Sequence, residues 1–198
     1  MPVTTVILAG GRGVRIGGNK GLQLLQGKPL LEWVLQAVTP QGGAVLINAN
    51  EQLENYRQFG YPVISDLMQG WQGPLAGLQA GMQHAATEFV LTVPCDTPFL
   101  PLDLVPRLYA GVGDGEAAVA VVAGRRQPAI AIYRRDLLPR LSVMLEGGMR
   151  KVGDWLNTLR VHEVIFENEN MFNNINTLDD MTAAGQEAAI YLHGAKNV

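Results

Sequence analysis

Short apolar runs rich in β-branched residues recur along this chain, and glycine, proline, asparagine or aspartate bounds most of them. Runs of this length and composition are typical of buried β-strands. They predict strands over residues 5–9, 44–48, 62–65, 89–94, 117–122, 130–133 and 161–166. Most of these runs are apolar almost throughout, which indicates a sheet that is covered on both faces.

The segments between these runs carry apolar residues at helical spacing, and most of them begin after a proline or a capping residue. They predict helices over residues 30–38, 52–59, 75–86, 102–110, 137–145, 151–159 and 178–189. Strands that alternate with helices favour a parallel sheet joined by right-handed crossovers. We therefore predict a three-layer α/β fold of the Rossmann type with a mostly parallel central sheet.

The chain has 198 residues, 47% of them hydrophobic, which suits one domain with a substantial core. We expect a single domain over 1–198, with its core at about 4–189 and a loosely held tail at 190–198. No run approaches the roughly 18 apolar residues of a membrane span, and the first residues do not resemble a secretion signal. Cys95 is the single cysteine, so we expect no disulfide framework and a cytoplasmic location.

A net charge of −3 provides no overall basic field that would attract nucleic acid or an anionic membrane, so any bound anion must be held locally. Five glycines follow the first predicted strand between positions 10 and 18, together with Arg12, Arg15 and Lys20. Glycines let backbone N–H groups approach an anion, and the cations supply compensating charge. The pattern predicts a phosphate-binding loop for a nucleotide; an ordinary turn with solvated basic residues is the alternative.

In open α/β sheets, ligands bind beyond the carboxyl ends of the strands. This rule selects the glycine loop after the first strand, Asn48 after the second, Asp66 after the third and Asp96 after the fourth. We expect them to converge on one cleft. A carboxylate beside phosphates typically holds Mg²⁺, whereas the alternative for Asp96 is a helix cap. Cys95 is interpreted as a packing residue.

Three further segments have both a functional and a structural interpretation. Gly73, Pro74 and Leu75 open a predicted helix, whose positive end and small residues would admit a flat ring, although glycine and proline also simply begin helices. Arg150 and Lys151 follow two glycines and could hold a second anion or be a solvated helix start. An asparagine cluster at 173–176 could bind a heterocycle or form an N-cap turn.

Taken together, the motifs closely resemble those of the molybdenum cofactor guanylyltransferases, the MobA-type enzymes that make molybdopterin guanine dinucleotide. The resemblance runs in order from about residue 5 to residue 186. The segments that carry it are Leu8-Ala9-Gly10-Gly11, Arg15-Ile16-Gly17, Lys20, Gly27-Lys28-Pro29-Leu30, Asn48-Ala49-Asn50, Gly73-Pro74-Leu75-Ala76-Gly77, Pro94-Cys95-Asp96-Thr97-Pro98 and Asn174-Ile175-Asn176-Thr177.

The resemblance implies transfer of GMP from GTP to molybdenum-bearing molybdopterin, with Mg²⁺ as cofactor and pyrophosphate as second product. It implies Lys20, Arg15 and Asp96 as catalytic residues, with Asp96 as the metal ligand. The implied GTP site consists of Leu8, Ala9, Gly10, Gly11, Lys20, Asn48, Asp66, Gly73, Pro74, Leu75 and Asp96. The implied molybdopterin side consists of Arg15, Arg150, Lys151, Asn174 and Asn176.

The resemblance further implies transient contacts with cofactor maturation proteins and apo-molybdoenzymes, and we expect a monomer that binds neither nucleic acid nor membrane.

Two positions depart from the family pattern. Asn19 stands where the family usually has aspartate, so a second carboxylate is missing beside the loop lysine. Ile16 replaces the commoner methionine, which is a volume-conserving change.

Three alternatives remain open at this point. A cytidylyltransferase acting on the same pterin typically carries Leu-Ala-Ala-Gly in the loop, where this chain has Leu-Ala-Gly-Gly. A sugar-phosphate nucleotidylyltransferase shares the glycine loop and its lysine but usually has a longer chain. A non-catalytic adaptor that delivers nucleotide or cofactor would not need both Lys20 and Asp96.

Overall fold

A seven-stranded sheet forms the centre of the protein, in a computed structural model that describes residues 1–10, 19–68, 70 and 73–194. The strands lie in the order β5-β4-β1-β6-β8-β7-β9. Their bounds are β1 Val3–Leu8, β4 Ala44–Asn48, β5 Val63–Ile64, β6 Phe89–Pro94, β7 Ala117–Val122, β8 Arg125–Arg134 and β9 Val161–Phe166. All pairs are parallel except the two that β8 makes with β6 and β7, so the predicted three-layer, mostly parallel fold is confirmed.

Helices cover both faces of the sheet. They are α1 Leu30–Val38, α2 Leu53–Arg57, α3 Pro74–His84, α4 Leu104–Gly111, α5 Leu138–Glu146, α6 Val152–Leu156 and α7 Leu178–Gly194. One apolar layer packs α1, α2 and α4 against the sheet, and the other packs α3, α5 and α6 against the opposite face. Of the helices in the described ranges, none is both long and apolar enough to cross a membrane.

The reversed direction of β8 is a feature that the pattern of apolar runs does not predict. β7 and β8 are joined by Ala123 and Gly124, which have φ values of 49° and 70°. Two successive residues in the left-handed region form the tight turn that suits a two-residue hairpin. β8 is consequently longer than the predicted 130–133 and returns antiparallel between β6 and β7.

A small third cluster lies outside the two main layers. A two-stranded hairpin, β2 Leu24–Leu25 and β3 Lys28–Pro29, packs with α7 around Trp33, Phe99 and Ile175. The hairpin has too few residues to give a recognisable apolar run, so the sequence analysis does not predict it. Helix α7 continues to Gly194, into the segment expected to form a tail, and residues 195–198 lie outside the described part of the chain.

Two buried glycines allow α3 to lie directly against β1. A Cβ atom at Gly77 would lie 2.5 Å from Asn48 Oδ1 and 2.6 Å from Leu8 Cδ2, and one at Gly81 would lie 2.5 Å from Val6 Cγ2. These distances are too short for a side chain to fit without movement of the helix or the strand. The close approach places the start of α3 beside the carboxyl end of β1.

Gly81→Ala should therefore destabilise the fold by about 1–3 kcal/mol, because the added methyl group overpacks the contact with Val6. Gly153→Ala is the matched control, since no atom lies within 4 Å of its Cβ position and alanine favours a helix. Chemical denaturation of both variants measures the two effects. An unchanged unfolding free energy for Gly81→Ala would contradict the packing described here.

Candidate active site

The residues selected by the strand-end rule follow neighbouring strands at one edge of the sheet. Leu8 at the end of β1 lies in register with Asn48 on β4 and with Pro94 on β6. β5 pairs with the outer side of β4, so Asp66 follows at the same edge. The parallel topology therefore places the loops after β1, β4, β5 and β6 side by side, as expected for a single cleft.

Lys20 and Asp96 are in direct contact. Lys20 Nζ lies 3.0 Å from Asp96 Oδ2, and the two side chains are 21% and 13% exposed. Lys20 also donates a hydrogen bond to Asn176 Oδ1. Lys20 begins a short 3₁₀ turn, and Asn19 enters that turn with φ 35° and ψ 69°, a left-handed conformation that asparagine tolerates better than most residues. Asn19 thus lacks the negative charge of the family's usual aspartate, but asparagine still suits the left-handed backbone of this turn.

The chain after β9 is tied to the Asp96 loop by two hydrogen bonds. Ile175 N donates to the carbonyl of Asp96 at 2.8 Å, and Thr97 Oγ1 donates to Asn174 Oδ1 at 2.6 Å. Asn174 and Asn176, both predicted from the resemblance, therefore lie beside Asp96 although nearly 80 residues separate them along the chain. The asparagine cluster therefore lies beside Asp96 and immediately precedes α7.

Asp180 fixes the asparagine segment from the first turn of α7. Its Oδ2 accepts hydrogen bonds from the backbone N–H groups of Asn176 at 2.8 Å and Thr177 at 2.9 Å. Asp180 N in turn donates to Thr177 Oγ1 at 3.1 Å, which completes a capping box. The bonds from Asn176 and Thr177 lower the pKa of Asp180, with Lys20 adding a smaller contribution. Asp180 is not among the predicted site residues, although its spacing from Thr177, Thr-x-x-Asp, is typical of a capping box.

A second polar cluster follows β4 and β5. Asn48 Nδ2 donates to Asp66 Oδ1 at 2.9 Å, and Asn50 Nδ2 donates to Asp66 Oδ2 at 2.8 Å. Asp66 N donates back to Asn50 Oδ1 at 2.9 Å. Asn48 is only 3% exposed, so its side chain supports Asp66 from below, whereas Asp66 and Asn50 are half-buried at the surface of the cleft.

The first residues of the glycine loop are joined by backbone hydrogen bonds to the end of β4 and to the residue that follows β6. Ala9 N donates to the carbonyl of Asn48 at 2.8 Å, and the Leu8 carbonyl accepts from Cys95 N at 3.2 Å. Ala9 is 2% exposed, and Gly10 lies against Asn50, whose Nδ2 is 3.0 Å from the position of a Cβ. The predicted site residues Gly11 and Arg15, and the departure at Ile16, lie outside the described residues.

The start of α3 contributes backbone groups as well. Gly73 has φ +78° and precedes Pro74, the first residue of the helix. The Leu75 side chain is fully buried in the core, so Leu75 can reach a ligand only through its backbone. The N–H groups at the beginning of this eleven-residue helix and its positive dipole end favour an anion or an electron-rich ring.

The backbone of Arg150 lies near the start of α3, but its guanidinium is hydrogen-bonded to backbone carbonyls around the end of α5. The backbone oxygen of Arg150 is 3.4 Å from the Cβ position of Gly73. Arg150 Nη1 donates to the carbonyls of Leu145 and Met149, both at 2.7 Å, where it satisfies the end of α5. Lys151 is exposed immediately before α6. These bonds fix the Nη1 end of the guanidinium and use two of its five N–H donors, so only the remaining donors can contact a substrate while Arg150 stays in this position.

Cys95 is a buried thiol beneath the site. Burial, with a smaller contribution from Asp96, raises its pKa to about 12, so the thiolate that a nucleophile needs is absent at neutral pH. This agrees with its interpretation as a packing residue. The buried ring of Tyr56 lies beside it under Gly21, where a Cβ would be 3.2 Å from the phenol oxygen.

The side chains around Lys20 suit a hard metal ion. Asp96 and Asn176 direct one oxygen each at the same ammonium group, which shows that this point of the cleft accommodates a cation. Mg²⁺ prefers oxygen ligands and takes most of them from water and phosphate, so one carboxylate suffices. No cluster of three or more histidine, cysteine or acidic side chains suited to a metal occurs within the described ranges.

The comparisons with known proteins identify the family. A model of the MobA-like NTP transferase domain matches residues 5–161. A molybdenum cofactor guanylyltransferase from Cupriavidus pinatubonensis is 44% identical over 187 residues, which cover 90% of this chain and 94% of that protein. The chain belongs to the MobA-like molybdenum cofactor guanylyltransferase family. A family member of the same name from Yersinia pseudotuberculosis is 43% identical over 180 residues, covering 90% of this chain and 92% of the relative.

A solved structure agrees with this family assignment. The molybdopterin-guanine dinucleotide biosynthesis protein A from Archaeoglobus fulgidus superposes with a TM-score of 0.77 at 26% identity, covering 94% of this chain and 98% of that one. The structure of a CMP:2-keto-3-deoxy-manno-octonic acid synthetase superposes with a TM-score of 0.73, covering 94% and 97% of the two chains. At 15% identity, the second likeness shows a shared fold alone.

Asp180→Asn should lower the melting temperature at pH 7, because it replaces the carboxylate that accepts from Asn176 and Thr177. Since the folded-state pKa of Asp180 is lowered, its stabilisation is complete above the ordinary value of about 4 and is lost as the pH falls through the folded-state pKa. Melting curves from pH 7 down to pH 2 should show the two proteins converging at the acidic end. Asp179→Asn in the same turn is the control, and an equal effect there would contradict the cap.

Proposed function

We propose that this protein transfers GMP from GTP to the terminal phosphate of molybdenum-bearing molybdopterin and releases pyrophosphate. The observation that carries the proposal is the Lys20–Asp96 contact at the sheet edge that also bears the Asn48, Asn50 and Asp66 cluster. A cation and a carboxylate that could bind a metal thus lie on the same sheet edge as hydrogen-bond acceptors and donors that suit a nucleoside. The names of the relatives support the guanylyl group and the pterin acceptor.

The reaction requires two anions to be held together. A phosphate oxygen of the pterin forms a bond to the α-phosphorus of GTP, and the bond from that phosphorus to the oxygen bridging to the β-phosphate breaks. The second pKa of a phosphate monoester is near ~6, so the attacking group is largely dianionic at neutral pH. No general base is needed, and catalysis consists of positioning and charge stabilisation.

Lys20 supplies the fixed positive charge in this proposal. Its ammonium would move from Asp96 and Asn176 towards the triphosphate, where it stabilises charge that develops at the α-phosphate and the leaving pyrophosphate. Asp96 would hold Mg²⁺, which when bound neutralises part of the triphosphate charge. Backbone N–H groups at Gly10 and Gly11 would orient the phosphates, and Leu8 and Ala9 would line the GTP site beside them.

The remaining site residues divide between the two substrates. The start of α3, at Gly73, Pro74 and Leu75, would receive the guanine together with the cluster around Asp66. The pterin side would consist of Asn174 and Asn176 beside Asp96, with Arg15, Arg150 and Lys151 as cations. Asn174 and Asn176 have the strongest support, because their hydrogen bonds place them against the Asp96 loop.

We further propose that the protein acts as a monomer in the cytoplasm and meets maturation proteins and apo-molybdoenzymes transiently. A pterin cytidylyltransferase is the alternative with the most similar chemistry, and turnover of GTP against CTP distinguishes it. A sugar-phosphate nucleotidylyltransferase would accept a sugar phosphate in place of the pterin. A delivery protein without catalysis would bind GTP and release no pyrophosphate.

Lys20→Ala should reduce the rate of dinucleotide formation by about 100- to 1000-fold, since it removes a preorganised charge at the transferred phosphate. Pyrophosphate release with GTP and molybdopterin measures the rate, and circular dichroism verifies folding. Arg57→Ala, which removes an exposed cation on α2, is the control with an unchanged rate. A Lys20→Ala rate within a few-fold of wild type would overturn the catalytic role.

Asp96→Asn should abolish Mg²⁺-dependent turnover, because the amide keeps the shape of the side chain and loses the charge that binds the metal. A Mg²⁺ titration of pyrophosphate release shows whether activity returns at high metal concentration. Asp103→Asn is the matched control, since that carboxylate is 59% exposed and pairs with Arg107 outside the cleft. Wild-type turnover by Asp96→Asn at ordinary Mg²⁺ concentrations would contradict the metal role.

A further inference from the structure

The carboxylate of Asp66 is held by two asparagine amides, those of Asn48 and Asn50, and Asn50 is not among the predicted site residues. Asn50 Nδ2 donates to Asp66 Oδ2 at 2.8 Å and Asn50 Oδ1 accepts from Asp66 N at 2.9 Å, so the two residues form a closed ring of hydrogen bonds. Asn48 adds a single bond, to Asp66 Oδ1 at 2.9 Å. Two of the three contacts that orient Asp66 therefore come from Asn50.

These contacts leave acceptor capacity on both carboxylate oxygens. An ionised carboxylate has about four lone-pair positions, and each oxygen of Asp66 receives one described hydrogen bond from an asparagine amide. Asp66 and Asn50 are half-buried, whereas Asn48 is buried beneath them. The oriented carboxylate is thus suited to accept two parallel hydrogen bonds from a ligand in the cleft.

The location of Asp66 indicates which part of a nucleotide it meets. Asp96 follows β6 and Asp66 follows β5, and β1 and β4 lie between these strands. Neighbouring strands are about 4.8 Å apart, so the two loop starts are separated by about 14 Å. With the phosphates at Lys20 and Asp96, the ribose must lie close to them, because it is only a few bonds from the α-phosphate. The base is the part of the nucleotide farthest from the phosphates, so the far end of the cleft receives it.

Guanine has the hydrogen-bonding pattern that a carboxylate accepts. Its Watson–Crick edge carries two adjacent donors, the N1–H group and the 2-amino group, whereas cytosine and adenine place an acceptor nitrogen beside a single amine. An ionised carboxylate only accepts hydrogen bonds, so this acceptor nitrogen and a carboxylate oxygen would face each other without a proton between them. A rigidly held Asp66 consequently favours guanine and rejects the other two bases.

We propose that Asn50 is a positioning residue that fixes the Asp66 carboxylate as the acceptor for the guanine edge and thereby sets the base specificity. The inference rests on the proposed function, in which the donor substrate is GTP. Gly10 permits this arrangement, since a Cβ there would lie 3.0 Å from Asn50 Nδ2. The glycine loop and the base-reading carboxylate are thus linked through one amide side chain.

Calorimetric binding of GTP and ITP, without the pterin substrate, tests the inference directly. ITP lacks only the 2-amino group, so we expect wild type to bind GTP about tenfold more tightly, the effect of one hydrogen bond to a charged acceptor. In Asn50→Ala the carboxylate keeps only the bond from Asn48 and can rotate away from the two guanine donors, so the preference should fall below about threefold. The KM for GTP should rise about tenfold, while kcat at saturating GTP changes little.

Two further variants make the result specific to Asn50. Asn50→Asp keeps the size of the side chain and the acceptor for Asp66 N but loses the Nδ2 donor, so the GTP preference should be lost here as well, whether or not Asn50→Ala folds. Asn55→Ala removes an exposed asparagine amide on α2 and should retain the wild-type preference. Melting curves verify folding of each variant.

Each outcome bears on the proposal. A GTP-over-ITP preference in the folded Asn50 variants equal to that of wild type would overturn it, as would absence of the preference in wild type. A change confined to discrimination between GTP and 2′-deoxy-GTP would also overturn it, because the carboxylate would then meet the ribose. Failure of wild type to guanylylate molybdopterin would refute the proposed function alone, since the binding experiment omits that substrate.

Discussion

The contact between Lys20 and Asp96 organises the candidate active site. The two charges are mostly withdrawn from water, so each is stable in its position because the other is present. Lys20 comes from the loop after β1 and Asp96 from the loop after β6, and only the parallel pairing of those strands brings the loops together. Asn176 completes the arrangement from the far end of the chain. The phosphate end of the cleft therefore depends on the sheet being assembled in the observed order.

Other polar residues hold this arrangement in place. They are uncharged, or they lie behind the residues that face the cleft. Asp180 restrains the backbone that carries Asn176, and Asn48 and Asn50 restrain Asp66. Buried or half-buried side chains need such partners, because an unpaired polar group away from water is costly. The cleft thus consists of a contacting layer and a supporting layer, and the second layer decides where the first one points.

The fold was predictable from the sequence because the strands are nearly continuous apolar runs. The predicted bounds of β4, β6, β7 and β9 coincide with the structure, and those of α1 do also. The direction of β8 was not predictable from its apolar run, since it is set by the backbone conformation at Ala123 and Gly124. The strands β2 and β3 have two residues each, which is too few to show an alternation of apolar and polar positions.

The site was predictable to the extent that strand ends and family motifs mark it. Lys20, Asp96, Asn48 and Asp66 lie along the expected edge, and Asn174 and Asn176 join them. The supporting roles of Asn50 and Asp180 depend on hydrogen-bond geometry between segments, which residue types alone do not specify. The engagement of Arg150 with the end of α5 is likewise visible only once the helix is built.

The match to the MobA-like domain ends at residue 161, whereas Asn174, Asn176 and Asp180 lie beyond it in a segment that packs on the β2–β3 hairpin and α1 through a small apolar cluster. The surroundings of Asp96 thus come from two stretches of polypeptide that lie far apart in the sequence, one bearing Lys20 and the other Asn174 and Asn176. Substitutions in the distal stretch therefore change the hydrogen-bond partners of Lys20 and of the Asp96 loop while the strands of the central sheet keep their own pairing.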